Sequence, residues 1–153
     1  MSKRKTATRS RNLRVLMIDD DTDLASVVVD SLRNAGLDAW AIRPTPSGSI
    51  DGMVEAAATF RPDAILVDVV MPTDTAKLVR ALRAERRLSR ARLFGCSGHA
   101  ILAGSFSRLL DGFLHKPFSM HELAEMLAEE FGARRPRARA KAKGSGRLKR
   151  AGA

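Results

Sequence analysis

The chain has a single cysteine, a single tryptophan, no tyrosine and only three histidines. A lone Cys96 excludes an intramolecular disulfide, and no group of Cys and His residues has the spacing of a zinc site. No apolar run approaches the roughly 18–20 residues that a bilayer span requires. The basic opening MSKRKTATRSRNLR is followed by VLMI, and charge resumes at once. A secretory signal needs a longer apolar core than that, so a reducing cytoplasm is the expected compartment.

Acids are also missing, but only locally. Residues 1–14 hold Lys3, Arg4, Lys5, Arg9, Arg11 and Arg14 with no Asp or Glu, and residues 132–153 hold nine Lys/Arg, again with none. All 17 acids therefore lie in residues 15–131, against 12 bases, a net −5. The overall charge of +10 belongs to the two ends, not to the middle. This divides the chain into a basic N-terminal arm (1–11), a domain (12–132) and a basic tail (133–153). The tail, alternating Arg/Lys with Ala, Pro and Gly, has no apolar face to bury, and both arms are expected to be disordered.

The middle of the chain alternates between two patterns. Short apolar runs read as strands at 13–18, 37–42, 63–72, 91–95 and 113–115. Helical spacing of apolar residues fills the gaps at 21–36, 50–60, 73–89, a short stretch around 101–110, and 119–131. In the first helix Leu24, Val27, Val28, Leu32 and Ala35 form the inward stripe, Thr22 is the expected cap and Gly36 the stop. In the last, Ser119 and Glu122 make a capping box ahead of Leu123, Met126, Leu127 and Phe131. Five strand–helix repeats imply an α/β domain with a mostly parallel sheet covered on both faces. Sites in such sheets form beyond the carboxyl ends of the strands.

That edge is where the sequence places its polar groups. The first strand ends in Asp19, Asp20 and Asp21, the third in Asp68, the fourth in Ser97 and the fifth in Lys116. Adjacent carboxylates repel, so they persist either splayed into solvent or around a cation. Two carboxylates and a backbone carbonyl suit Mg²⁺, which keeps several of its waters. Asp68 could then act as a nucleophile toward a phosphoryl donor, with Lys116 and Ser97 holding phosphoryl oxygens.

Residues 12–131, through VLMIDDD, ILVDVVMP, FGCSG and FLHKPF in that order, resemble the receiver domain of two-component response regulators. The resemblance implies a three-layer α/β/α (βα)5 flavodoxin-like fold with a parallel five-stranded sheet in the order 2-1-3-4-5. It implies Asp68 as phospho-acceptor and Mg²⁺ held by Asp20 directly, by Asp19 largely through water, by Asp68 and by the backbone carbonyl of Val70. Ser97 and Lys116 would serve the phosphoryl group, Ser97 and Phe113 would form the switch, and the Lys116–Pro117 bond would be cis. The implied phosphodonor is a histidine kinase or histidine phosphotransfer protein, and the implied output is binding to a downstream effector protein.

Bland alternatives stand beside these roles. Ser97 could cap the following helix, Phe113 could be plain core, and His99 could be a surface residue bordering the site. Cys96 reads as a small buried residue, and Trp40 as packing. The sequence after Met71-Pro72, TDTA, lacks the glycine of most relatives, and RPTPSGSI after the second strand is long. A stand-alone receiver with no covalent output domain and no turnover chemistry is the expectation. The alternative is a nucleic-acid-associated adaptor, held through its basic arms by phosphate contacts and modulated by the receiver. An acidic partner or an anionic membrane surface would also attract the arms, and a solubilising role needs no partner at all.

Overall fold

The structure is a computed structural model that describes residues 11–44, 48–71, 74–98 and 108–132. Five strands form its centre: β1 (Arg14–Ile18), β2 (Asp38–Ile42), β3 (Ala64–Asp68), β4 (Arg92–Ser97) and β5 (Gly112–His115). All pair in parallel, in the order β2-β1-β3-β4-β5. The described helices are α1 (Thr22–Asn34), α2 (Ile50–Phe60), α3 (Thr75–Ala84) and α4 (Met120–Phe131). This is the three-layer α/β/α arrangement that the alternating pattern predicts.

Strand alternation builds two cores. Val15 and Met17 of β1, Leu66 of β3 and Phe94 of β4 face α1 and α4, where they meet Val28, Leu32, Leu123 and Leu127. Leu16 and Ile18, Ile65 and Val67, and Leu93 face the other way, onto Met53 and Ala57 of α2 and Leu78 and Leu82 of α3. β1 and β3 are buried on both faces because they are interior strands of a parallel sheet, and that is why their sequences are unbroken apolar runs.

Several boundaries differ from the sequence-based expectation, each for a local reason. The N-cap of α1 is Asp21, whose carboxylate accepts from the Leu24 backbone N–H, and not Thr22. The buried stripe of α1 is Ala25, Val28, Val29 and Leu32, which turns Val27 outward to 61% exposure. The expected helix 73–89 stops at Ala84: Glu85 is extended, and Arg86–Leu88 forms a separate 3₁₀ turn. β4 runs on to Ser97, beyond the expected Gly95, and β5 begins at Gly112. Of the expected helix 101–110, residues 101–107 lie outside the described residues, and Arg108 and Leu109 form a turn. His99, residues 1–10 and the tail from 133 also lie outside them. The Ser119–Glu122 capping box is present on α4.

At the amino-terminal edge of the sheet Asp63 ties three segments together. Its carboxylate accepts from the Arg11 guanidinium and the Arg14 backbone N–H, and its carbonyl accepts from the Arg92 N–H. Arg14 also stacks on the Phe60 ring, and Trp40, half-exposed on the edge strand β2, packs against the same ring at 5.6 Å.

A carboxylate cluster at the carboxyl edge of the sheet

Because every strand runs the same way, all five carboxyl ends open on one edge, and β1 and β3 are hydrogen-bonded neighbours there. This register brings Asp19, the residue after β1, beside Asp68, the last residue of β3. With Asp20 they form a group in which one carboxylate oxygen from each residue lies within 4.8 Å of the other two. Asp19 and Asp68 are buried, and Asp20 is half-buried.

The backbone relieves part of this crowding. The Asp21 N–H donates to Asp19 Oδ1 at 2.9 Å, and the Val70 N–H donates to Asp68 Oδ1 at 2.9 Å. The remaining oxygens face Lys116, which follows β5. Its Nζ lies 2.7 Å from Asp19 Oδ2 and 3.2 Å from Asp68 Oδ2. Lys116 is placed by its own backbone N–H, which donates to the carbonyl of Ser97 at 2.9 Å, and the bond to Pro117 is cis.

One ammonium against three carboxylates leaves two negative charges uncompensated. Burial pushes the Asp68 carboxyl above its usual range. The Val70 N–H and Lys116 oppose that rise, and the Asp19 charge adds to it. For Lys116, burial works against the charge, but the hydrogen bond and charge of Asp19, joined by Asp68, outweigh it and hold the amine above the ordinary lysine value. An all-oxygen donor set with residual charge of this size fits a hard divalent cation, which would offset the burial cost on Asp68.

Ser97 is buried at the end of β4, and its neighbour Gly98 is exposed. Cys96 pairs in register with Asp68, and burial drives its thiol up to about 12. Phe113 is half-buried and packs on the α2/α3 side, with its ring edge-on to His115 at 5.0 Å. Val70 is 47% exposed beside the cluster. The structure thus brings Asp19, Asp20, Asp68 and Lys116 into one group, with Ser97 and Val70 joined to it through the backbone.

No family model matches the chain. Over 114 residues it is 33% identical to the transcriptional regulatory protein PrrA of Mycobacterium leprae, an alignment that takes in 72% of this chain and 46% of that protein. Among solved structures, a sensor protein from Polaromonas sp. JS666 superposes with a TM-score of 0.66 and 26% identity, covering 78% of this chain and 95% of the other. The described domain is a response-regulator receiver domain. The chemotaxis response regulator CheY4 of Vibrio cholerae has the same fold, with a TM-score of 0.67 at 21% identity, covering 78% of this chain and 98% of that one. The chain spans about half the length of the curated relatives it matches. Receiver domains are signalling modules rather than turnover enzymes. Among the described residues of this receiver no helix is long and apolar enough to cross a membrane.

Two features of this receiver were missed by reading the sequence. Gly95 sits inside β4, where an added Cβ would meet the Phe113 ring and Leu110. An isolated glycine in a strand run is the signal for such a close approach. Asp111 accepts from the Leu93 N–H and from Arg83, linking β4, α3 and the start of β5. No local pattern marks that role, because the Leu93 and Arg83 donors lie 18 and 28 residues away in sequence.

Proposed function

We propose that this receiver accepts a phosphoryl group on Asp68 and signals through the resulting change at its surface. The observation that carries the reading is the Lys116 ammonium, which bridges Asp19 and Asp68 and so joins the carboxyl ends of β1, β3 and β5. In the reaction a carboxylate oxygen of Asp68 attacks phosphorus, an acyl phosphate forms, and the P–N bond of a phosphohistidine donor breaks. The leaving imidazole takes up a proton. A histidine kinase or histidine phosphotransfer protein is the donor class that fits this chemistry.

Asp19, Asp20, Asp68 and the backbone carbonyl of Val70 would hold Mg²⁺, which supplies charge neutralisation as negative charge builds on the phosphoryl oxygens. Lys116 is positioned to follow one phosphoryl oxygen as it leaves its Asp68 contact, and the Ser97 hydroxyl to donate to another. Phe113, next to β4 in the register, is the group whose packing would report the change. Such a change shifts a pre-existing equilibrium, and its output is binding or release of an effector protein. The domain assignment supporting this reading is residues 12–132, with basic segments on either side.

The test is direct. Incubation with a small acyl-phosphate donor and Mg²⁺ should add one phosphoryl group, read by intact mass and mapped to Asp68. Asp68→Asn should take up none, and labelling of that variant at the level of the unaltered chain overturns the assignment.

A further inference from the structure

The pole of the domain opposite Asp68 is built from the turns that lead into the strands, and its charge has the opposite sign. The described chain enters at this pole with Arg11 and leaves it with Gly132 after α4, and the 3.7 Å pair of Arg92 on β4 with Glu130 on α4 fixes that exit beside the sheet. Most acids nearby have arginine partners: Asp38 with Arg14, Asp63 with Arg11, Asp111 with Arg83, Glu85 with Arg87 and Glu130 with Arg92, while Glu129, exposed near the end of α4, has no ion pair among the described residues. Arg61, Arg86, Arg90 and Arg108 are exposed in the connections before β3, β4 and β5, and among the described residues none of the four makes an ion pair.

Helix ends account for only two of them. An arginine in the last turn of a helix complements the negative end of its dipole, as Arg33 and Arg83 do. Arg61 is the C-cap of α2 in a left-handed conformation (φ 55°) and Arg86 belongs to the 3₁₀ turn, whereas Arg90 and Arg108 lie outside every described helix. The sequence on both sides continues the same charge. Residues 1–10 add four Lys/Arg and residues 133–153 add nine, with no acid in either. One pole is therefore acidic, the other basic and continuous with basic chain at both of its ends.

We propose that this basic pole is a nucleic-acid-binding face, in which Arg61, Arg86, Arg90 and Arg108 contact the backbone phosphates of a duplex. Guanidinium groups pair with phosphate in bidentate fashion, and Arg predominates in the turns. A membrane surface fits less well. Basic membrane-binding segments carry Trp, Phe or Leu to insert, and the exposed large apolar residues among the described residues, Val27, Trp40 and Val70, all lie outside these turns. With no element to enter a groove among the described residues, the contacts are to phosphate and carry no sequence preference.

The experiment measures full-length chain binding to a fluorescent duplex of arbitrary sequence at several salt concentrations, without any phosphodonor, so it is independent of the reading of Asp68. The variant replaces all four arginines: Arg61→Asn, because Asn tolerates the left-handed backbone, and Arg86→Gln, Arg90→Gln and Arg108→Gln. The full chain should bind with a steep salt dependence. In the variant the slope of log K against log salt should fall by about 3–4, at roughly 0.9 for every phosphate that is no longer neutralised. A second chain ending at residue 132 should keep a weaker salt-dependent interaction through the folded face. Thermal melting shows whether the fourfold variant folds. If it does not, the single Arg86→Gln and Arg90→Gln substitutions, each expected to cost about 0.9 in slope, decide the matter. An unchanged slope in these variants, no duplex binding by the full chain, or tighter binding to phosphatidylserine vesicles than to duplex at equal phosphate overturns the proposal.

Discussion

Gly95 on β4 and Phe113 on β5 are register partners, and a Cβ built on Gly95 would stand 2.9 Å from the Phe113 ring and 2.7 Å from Leu110. Such distances are below any ordinary contact, so the ring occupies space that only glycine leaves open. Gly95→Ala should force Phe113 and Leu110 outward and cost about 1–3 kcal/mol by overpacking. Urea denaturation measures the loss. Pairing Gly95→Ala with Phe113→Ala tests the cause, since removing the ring should recover a good part of it.

Asp68→Asn should stabilise the domain at neutral pH when a chelator is present. Burial raises the folded-state pKa of Asp68, so its ionised form is favoured by unfolding. The stabilising contribution of the protonated carboxyl is complete below the unfolded pKa and disappears as pH climbs through the raised folded value. The melting midpoint of the variant should therefore exceed that of the unaltered chain at pH 7 and approach it in acid. Titration with Mg²⁺ should raise the midpoint of the unaltered chain alone.

Lys116→Met removes an ammonium that contacts two buried carboxylates. Leaving them unpaired should cost about 2–3 kcal/mol in chelator, below the usual penalty for a broken buried pair because the lysine itself is partly exposed. Divalent cation should restore part of the difference. Equal midpoints for variant and unaltered chain in chelator would show that Lys116 contributes nothing to holding the cluster.

Asp111 carries the opposite pH sign. Burial raises its pKa, but the Leu93 N–H, Arg83 and Arg92 together outweigh it and hold the carboxyl below the usual range. Its contribution is present above the unfolded pKa and is lost as pH falls through the depressed folded value. Asp111→Asn should lower stability at pH 7 by about 1–2 kcal/mol, typical of a hydrogen-bonded charge. That gap should close in urea melts run at progressively lower pH, below the normal Asp titration.

The layering was legible because interior parallel strands must be apolar on both faces, which β1 and β3 record as uninterrupted runs, whereas the strand order came from the resemblance to receiver domains. The carboxylate group was legible for a related reason. Where every strand ends on one edge, the first polar residue after each run is placed there by topology alone, and Asp19, Asp68 and Lys116 are those residues. Helix rotation was less legible. Val27 and Val29 are chemically identical, and only packing against the sheet puts Val29 inside and Val27 in water. The end of α3 was hidden for a similar reason: Glu85 and the arginines after it are good helix formers, yet the chain must turn at Glu85 to deliver Arg92 into register with Ala64. The roles of Asp63 and Asp111 depend on backbone donors from distant segments, which no local pattern records.

The parallel sheet also sets a distance. A strand of five residues rises about 3.3 Å per residue, so roughly 17 Å of rigid, fully hydrogen-bonded chain separates the acid-lined mouth from the arginine turns. The two ends therefore point away from each other. A large macromolecule resting against one would leave the other open to a visiting protein.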